Sequence, residues 1–105
     1  MDDLFAFGRA LARGELLEPE TLERAHTAAR LSSGDAGAYG LGFRIMEGPD
    51  GRTIVLHTGS TNGFLATCTF PTEENDTAVI LLTNVVGDGF AELRTAVFDI
   101  VWSRQ

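Results

Sequence analysis

One short stretch of the chain concentrates groups that could do chemistry. It reads His57-Thr58-Gly59-Ser60-Thr61-Asn62-Gly63-Phe64, and it carries an imidazole, three hydroxyls and an amide. An imidazole can accept or donate a proton near neutral pH, and hydroxyl and amide groups both donate and accept hydrogen bonds. A hairpin tip can also be polar only because it is solvated. The stretch alone therefore leaves both interpretations open.

Two further residues, His26 and Cys68, carry side chains that can bind metals. His26 shares a predicted helix face with apolar residues, and Cys68 shares a predicted strand face with aromatic ones, so both positions favour packing over chemistry. Zinc prefers imidazole and thiolate ligands, which makes His57, His26 and Cys68 the candidate ligands for a divalent metal such as zinc. The chain has no His-x-x-x-His spacing, so this prediction rests on residue types alone.

The composition limits what the protein can bind. Its 105 residues carry a net charge of −7 and are 44% hydrophobic. That balance suits one globular domain over residues 1–105, and it disfavours nucleic acid or an anionic membrane as a partner. No apolar run approaches the ~20 residues of a membrane span, and the first residues are acidic rather than basic, so we expect a cytoplasmic protein as expressed.

The basic and sulfur residues exclude some chemistry outright. All eight basic residues are arginine, and the chain contains no lysine. Schiff-base chemistry and an amine general base are therefore excluded within this chain. Cys68 is the single cysteine, so no intrachain disulfide can form.

Two helices are predicted ahead of the polar stretch. Apolar residues recur at helical spacing over residues 3–13, where Asp2 or Asp3 could cap the start and Gly14 suits the end. Pro19 fits the first turn of a second helix. Both helices place apolar side chains along one face, so we expect them to pack against a sheet.

Four strands are predicted after the helices, over residues 39–45, 53–57, 64–70 and 77–84. The last of them, from Thr77 to Asn84, is apolar on both faces, which is typical of a strand inside a sheet. Residues 90–102 are predicted to form an amphipathic helix that covers one sheet face. The predicted fold class is therefore α+β: an antiparallel meander of about four strands packed against N-terminal helices and a C-terminal helix.

The predicted strand, turn and returning strand around His57 resemble a signature box of one enzyme superfamily. It contains class C β-lactamases, penicillin-binding proteins and family VIII esterases, in which a Lys-Thr-Gly or His-x-Gly triplet lines the active site. The matching motifs here are His57-Thr58-Gly59, Ser60-Thr61-Asn62-Gly63-Phe64, Tyr39-Gly40-Leu41-Gly42-Phe43, Thr83-Asn84 and Asp3-Leu4-Phe5-Ala6-Phe7. The resemblance covers nearly the whole chain and implies the C-terminal lobe of a β-lactamase-like hydrolase.

The resemblance also implies roles for the residues of the polar stretch. His57 would orient the substrate and the proton relay, and the backbone N–H of Ser60 would donate into an oxyanion hole. These two are the implied catalytic residues. The implied substrate-binding residues are Thr58, Gly59, Thr61 and Asn62. Gly59, which has no side chain, would let a substrate approach the backbone closely.

The sequence departs from the superfamily at the nucleophile. A Ser-x-x-Lys motif cannot occur without lysine, and the only tyrosine, Tyr39, is followed by Gly-Leu rather than forming a Tyr-x-Asn box. The chain therefore resembles a truncated lobe, and the ordinary acyl-serine route is closed to one copy of it. Full-length members of the superfamily can be exported, which the cytoplasmic expectation does not address.

Three functions remain open, and a small molecule is the expected substrate of the two that are catalytic. In the first, the chain hydrolyses activated esters or phosphoesters through His57, as a general base or with a divalent metal. Copies of His57 from two subunits could hold that metal with a carboxylate or Cys68. In the second, the chain is a catalytically silent, oligomerising fragment. In the third, it is half of a split serine hydrolase whose other half carries Ser-x-x-Lys.

The resemblance also carries an expectation about assembly. In the superfamily, the strand equivalent to residues 77–84 pairs with the first strand of the part that is absent here. An apolar strand with an unpaired edge invites pairing with another chain. We therefore expect a homo-oligomer, most simply a twofold dimer, joined at or near the strand from Thr77 to Asn84.

Overall fold

The computed structural model describes residues 1–73 and 76–103 as three helices and one antiparallel sheet. The elements are α1 (Asp2–Ala12), α2 (Pro19–Ala25), β1 (Arg44–Glu47), a 3-10 turn (Pro49–Gly51), β2 (Thr53–Thr61), β3 (Phe64–Thr69), β4 (Ile80–Thr83) and α3 (Gly89–Trp102). The strands lie in the order β1-β2-β3-β4, so neighbours in the sheet are also neighbours along the chain. The predicted α+β meander of four strands is confirmed.

The sheet separates two apolar clusters, because successive side chains of a strand point to opposite faces. On what we call the back face, the cluster is Ile54, Leu56, Val79, Phe98 and Trp102. On the front face, the cluster is Leu11, Val55, Cys68 and Phe70. The C-terminal helix α3 therefore covers the back face, and α1 packs against the front face. Burial on both sides fixes the register of β2, since a one-residue slip would exchange the two faces.

The polar stretch lies further inside a strand than the sequence predicted. β2 continues past residues 53–57 to Thr61, and only Asn62 and Gly63 form the turn. Gly63 has a φ of 85°, the left-handed conformation that two-residue hairpin turns require. Residues 58–60 are therefore strand residues with defined faces, rather than parts of a solvated tip.

The first predicted strand begins later than expected. Only Arg44–Glu47 pairs with β2, and residues 39–43 form a tight loop instead. The N–H of Gly40 donates to the carbonyl of Phe43 at 2.8 Å, which closes the loop. The alternation of glycine and apolar residues was compatible with a strand, but it also suits a close backbone turn, and the turn is what forms.

This loop lies against the end of α2. The N–H of Leu41 donates to the carbonyl of Ala25 at 3.0 Å, and the N–H of Ala29 donates to the carbonyl of Tyr39 at 2.7 Å. A β-carbon at Gly40 would overlap the carbonyl oxygen of Ala25. Glycine is therefore required here so that the two backbones can touch.

The last strand is shorter than the predicted span of residues 77–84. β4 comprises Ile80–Thr83 and lies at one edge of the described sheet. Just before it, the N–H of Val79 donates to the hydroxyl of Thr69 at 2.7 Å, so a side chain replaces a backbone acceptor there. That substitution ends the regular ladder on this side.

The start of α1 differs from the prediction. Neither Asp2 nor Asp3 caps α1: the helix begins after Met1 without a side-chain cap, so that prediction is wrong. Both carboxylates lie in the first turn, where they still face the positive end of the helix dipole. The polar residues from Pro71 to Asp76 also predict a turn between the last two strands, and residues 74 and 75 of this turn lie outside the described residues.

The contact at Gly40 yields a stability prediction. Replacing Gly40 by Ala should lower the free energy of unfolding by about 2 kcal/mol, because an overpacked backbone contact must shift apart. Urea unfolding followed by circular dichroism measures the change. Gly87→Ala is the matched control, since a β-carbon at Gly87 meets no atom within 4 Å. Equal unfolding midpoints for the two variants would contradict the close contact between the loop and α2.

Candidate functional site

The hydrogen-bond alternation along β2 defines which backbone groups are free to bind. In an antiparallel pair, every second residue exchanges hydrogen bonds with the partner strand, and the residues between point the other way. The N–H of Phe70 donates to the carbonyl of Val55 at 2.8 Å, so Val55 faces β3. By alternation, His57 and Gly59 also face β3, and they pair opposite Cys68 and Ala66.

The intervening residues of β2 point towards β1, which covers only part of them. The ladder between β1 and β2 ends with Arg44 opposite Leu56. Beyond that pair the chain turns away in the loop of residues 39–43, and no backbone hydrogen bond joins that loop to Thr58 or Ser60. The N–H and C=O groups of Thr58 and Ser60 therefore form an open backbone edge, which we call the β2 edge.

The side chains of the stretch divide between the two sheet faces. His57, Gly59 and Thr61 lie on the front face, while Thr58 and Ser60 lie on the back face. Asn62 is exposed in the turn. The six predicted site residues are thus contiguous in space, but the hydroxyl of Ser60 and the imidazole of His57 point to opposite faces. Only the backbone groups of Ser60, which face the β2 edge, can therefore act together with the imidazole of His57.

The imidazole of His57 has one aromatic neighbour that the sequence did not suggest. The ring of Tyr39 lies edge-on to it, with 6.5 Å between ring centroids and 76° between ring planes. Tyr39 reaches this position because the loop of residues 39–43 folds back beside β2. Both side chains are exposed, so together they border the β2 edge on the front face.

The predicted metal ligands do not meet within one chain. His57 and Cys68 are cross-strand neighbours, but the ring of His26 packs edge-on against Phe43 with 4.8 Å between centroids. Burial raises the pKa of the Cys68 thiol, which disfavours the thiolate that would bind zinc. Throughout the described residues, no three potential ligands form a cluster. Within the described part of one chain, His57, His26 and Cys68 therefore do not form a single metal site, and a site shared between two subunits stays a prediction.

His26 lies at the end of α2, beside a groove that the sequence did not reveal. The groove has a volume of about 410 Å³ and lies between the end of α1 and the start of α2. The Nε2 atom of His26 is buried, and no hydrogen-bond partner for it is found in the described part of the chain. Burial lowers the pKa of His26, because the imidazolium form would lose its hydration.

The lowered pKa of His26 predicts a pH dependence of stability. Since the folded state holds this imidazole neutral, the unfolded chain binds more protons below the ordinary pKa of 6.5. The free energy of unfolding should therefore fall as the pH drops from about 7.5 to about 5. His26→Phe keeps an aromatic ring against Phe43 but cannot titrate.

Urea unfolding of both proteins at the two pH values measures the difference. The wild type should lose more stability on acidification than His26→Phe, and the carboxylates shared by both proteins cancel in the comparison. Equal losses would contradict the burial of a neutral imidazole at this position.

Comparisons with known proteins match the chain to a family model and to a curated relative. A family model described as Beta-lactamase matches residues 1–101. Penicillin-binding protein 4* of Bacillus subtilis (strain 168) is 32% identical to the chain over 62 residues, which cover 59% of this chain and 14% of that protein. The chain thus aligns with about one seventh of the length of this relative. Within the described residues, no helix is both long and apolar enough to cross a membrane.

Proposed function

The chain belongs to the beta-lactamase family, the superfamily of serine β-lactamases and penicillin-binding proteins, and from this we propose that it supplies the substrate-binding strand of a hydrolase that transfers acyl groups. The nucleophile of that site would come from polypeptide outside these 105 residues. The observation that carries the proposal is the β2 edge, where Thr58 and Ser60 turn unpaired backbone groups away from β3.

An extended substrate fits the spacing of this edge. Strand residues rise about 3.3 Å each, so the N–H groups of Thr58 and Ser60 are about 7 Å apart and point in the same direction. A peptide-like or acylamino substrate can pair with such an edge as an added strand. Its reacting carbonyl would then lie against the N–H of Ser60.

The N–H of Ser60 is suited to stabilise the oxyanion that forms during acyl transfer. A backbone donor held in a sheet needs no reorganisation when the charge develops, and removing one such donor typically costs about 3 kcal/mol of transition-state stabilisation. The hydroxyl of Ser60 is on the back face, so the proposed role belongs to the backbone alone. His57 would orient the substrate from the front face.

Hydrolysis by His57 alone receives less support. A histidine general base usually needs a second group that fixes its ring and tautomer. The ring neighbour of His57 is Tyr39, and the described residues contain no hydrogen-bond partner for the imidazole. We therefore favour a substrate-binding strand that needs a nucleophile from other polypeptide over a hydrolase that works through His57 alone. We propose no metal-assisted step.

Gly59 gives the proposal a further support. A β-carbon at Gly59 would meet its nearest neighbour, the β-carbon of Ala66, at 3.7 Å, which is an ordinary contact. The φ of Gly59 is not in the left-handed region that favours glycine. Folding therefore does not require glycine here, whereas close approach of a substrate to the strand would.

Removal of the Ser60 N–H is the direct test of the proposed donor. Ser60→Pro removes the N–H, and an outward-facing edge position tolerates proline because no ladder bond is lost. Ser60→Ala is the matched control, since it keeps the N–H and removes only the hydroxyl. Benzylpenicillin is the probe, added to isotope-labelled protein while amide chemical shifts are followed.

We expect shifts confined to β2 and Tyr39 in the wild type and in Ser60→Ala. Ser60→Pro should bind the probe about fivefold more weakly, because one hydrogen bond contributes about 1 kcal/mol. Equal affinity of Ser60→Pro and Ser60→Ala, or shifts that avoid β2, would overturn the proposal.

Substitution of Gly59 separates binding from folding. Gly59→Ala should fold with a stability equal to the wild type or higher by about 0.5 kcal/mol, because alanine restricts the unfolded chain. It should nevertheless weaken benzylpenicillin binding, since the new methyl group projects beside the β2 edge. Thermal unfolding and the same titration give the two readouts. Unchanged binding with unchanged stability would show that nothing needs to approach Gly59.

A further inference from the structure

Gly59 leaves a space on the front face of the sheet, beside the β2 edge. It lies between His57 and Thr61 along β2, and these three positions share the front face. Because glycine has no side chain, β2 itself projects nothing above position 59. The imidazole of His57 borders this space, and the ring of Tyr39 lies next to the imidazole.

The rings of Tyr39 and His57 stand as two walls of a corner, which we call the aromatic corner. Their centroids are 6.5 Å apart, and the ring planes are 76° apart, so the walls are nearly perpendicular. Both side chains are exposed, and Tyr39 leaves 47% of its surface free. Aromatic rings prefer edge-on or offset contacts with centroids ~4.5–7 Å apart. A third ring placed in the corner can therefore make such contacts with both walls.

Backbone hydrogen bonds fix the position from which Tyr39 reaches the corner. The N–H of Ala29 donates to the carbonyl of Tyr39 at 2.7 Å, and the N–H of Ile45 donates to the carbonyl of Ala38 at 2.7 Å. Tyr39 also forms an isolated antiparallel bridge with Arg44. Since this backbone is already ordered, a ligand that contacts the ring loses little affinity to the ordering of the loop.

The sequence around the aromatic corner is uncharged. Residues 36–43 and residues 53–72, which include β2 and β3, contain no Asp, Glu, Lys or Arg. Arg44 lies opposite Leu56, whose side chain belongs to the back-face cluster. A charged group entering the corner would lose hydration without gaining an opposite charge. The corner therefore favours an uncharged ring.

We infer that the aromatic corner binds an aromatic side chain of the substrate, and that Tyr39 is a specificity-determining residue. The inference rests on the proposed function, because it requires a substrate paired with the β2 edge. It names the substrate class as peptide-like compounds that carry an aromatic side chain next to the residue paired with Ser60.

The register of an added strand gives that position. Substrate residues opposite Thr58 and Ser60 would exchange backbone hydrogen bonds with the β2 edge, and the residue between them would lie opposite Gly59. Its side chain would point to the front face, into the space above Gly59. Diagonal neighbours in a sheet are ~7–8 Å apart, which is within reach of aromatic side chains. A ring at this position therefore reaches the imidazole of His57 and the corner.

Two capped tripeptides test the aromatic corner: acetyl-alanyl-phenylalanyl-alanine amide and the same peptide with leucine at the centre. The central residue falls opposite Gly59 when the flanking alanines pair with Thr58 and Ser60, in either strand direction. Titration into isotope-labelled protein, followed by amide and imidazole chemical shifts, gives both the location and the affinity. The wild type should bind the phenylalanine peptide about fivefold more tightly, because edge-on ring contacts add to the burial that both peptides share.

Tyr39→Leu should reduce this preference to about twofold or less, whereas Tyr39→Phe keeps the ring and should retain it. Circular dichroism of both variants should match the wild type. Equal affinities of the wild type for the two peptides, or a full preference that survives in Tyr39→Leu, would overturn the inference, while shifts at Thr58 and Ser60 would still support the proposed function. Peptides that shift neither of these amides would overturn both.

Discussion

The backbone contact between Gly40 and Ala25 is the constraint on which the site depends. Because position 40 has no β-carbon, the loop of residues 39–43 can rest on the end of α2. With the loop held there, the chain leaves the sheet immediately before β1, so the ladder between β1 and β2 stops at Leu56. The next two outward residues of β2 keep free backbone groups, and the ring of Tyr39 lies beside His57. One helix–loop contact thus creates both the open edge and its aromatic border.

Much of the fold could be predicted from the sequence, because hydrophobic periodicity and turn residues act locally. The spacing of apolar residues alone predicts the helices, the packing of α3 on one face of the sheet and the two faces of β3. The start of β1 could not be predicted, since the glycines of residues 39–43 permit both a strand and a loop, and a distant contact with α2 decides between them. The extent of β2 was missed for a related reason: polar residues at 58–61 suggested a tip, whereas the ladder with β3 holds them in a strand.

The residues of the candidate site could be chosen from the sequence, but the sheet face on which each side chain lies could not be predicted. The stretch from His57 to Asn62 was recognisable from residue types, yet its division between two faces requires the register. That register places the hydroxyl of Ser60 on the back face, so only its backbone groups face the β2 edge. His26 lies apart from His57 because its ring packs against Phe43 at the end of α2. Without lysine, these 105 residues cannot contain the Ser-x-x-Lys motif of the superfamily. The proposed binding strand therefore rests on two observations, the family match and the open β2 edge.

Amide hydrogen exchange of the wild type tests the open β2 edge most directly. The N–H groups of His57 and Gly59 lie inside the ladder with β3, whereas those of Thr58 and Ser60 face outward. We expect the outward amides to exchange about a hundredfold or more faster than their immediate neighbours, because free edge groups need no opening of the sheet. Equal protection of all four amides would contradict the account, since it would mean that the edge is covered and cannot receive a substrate.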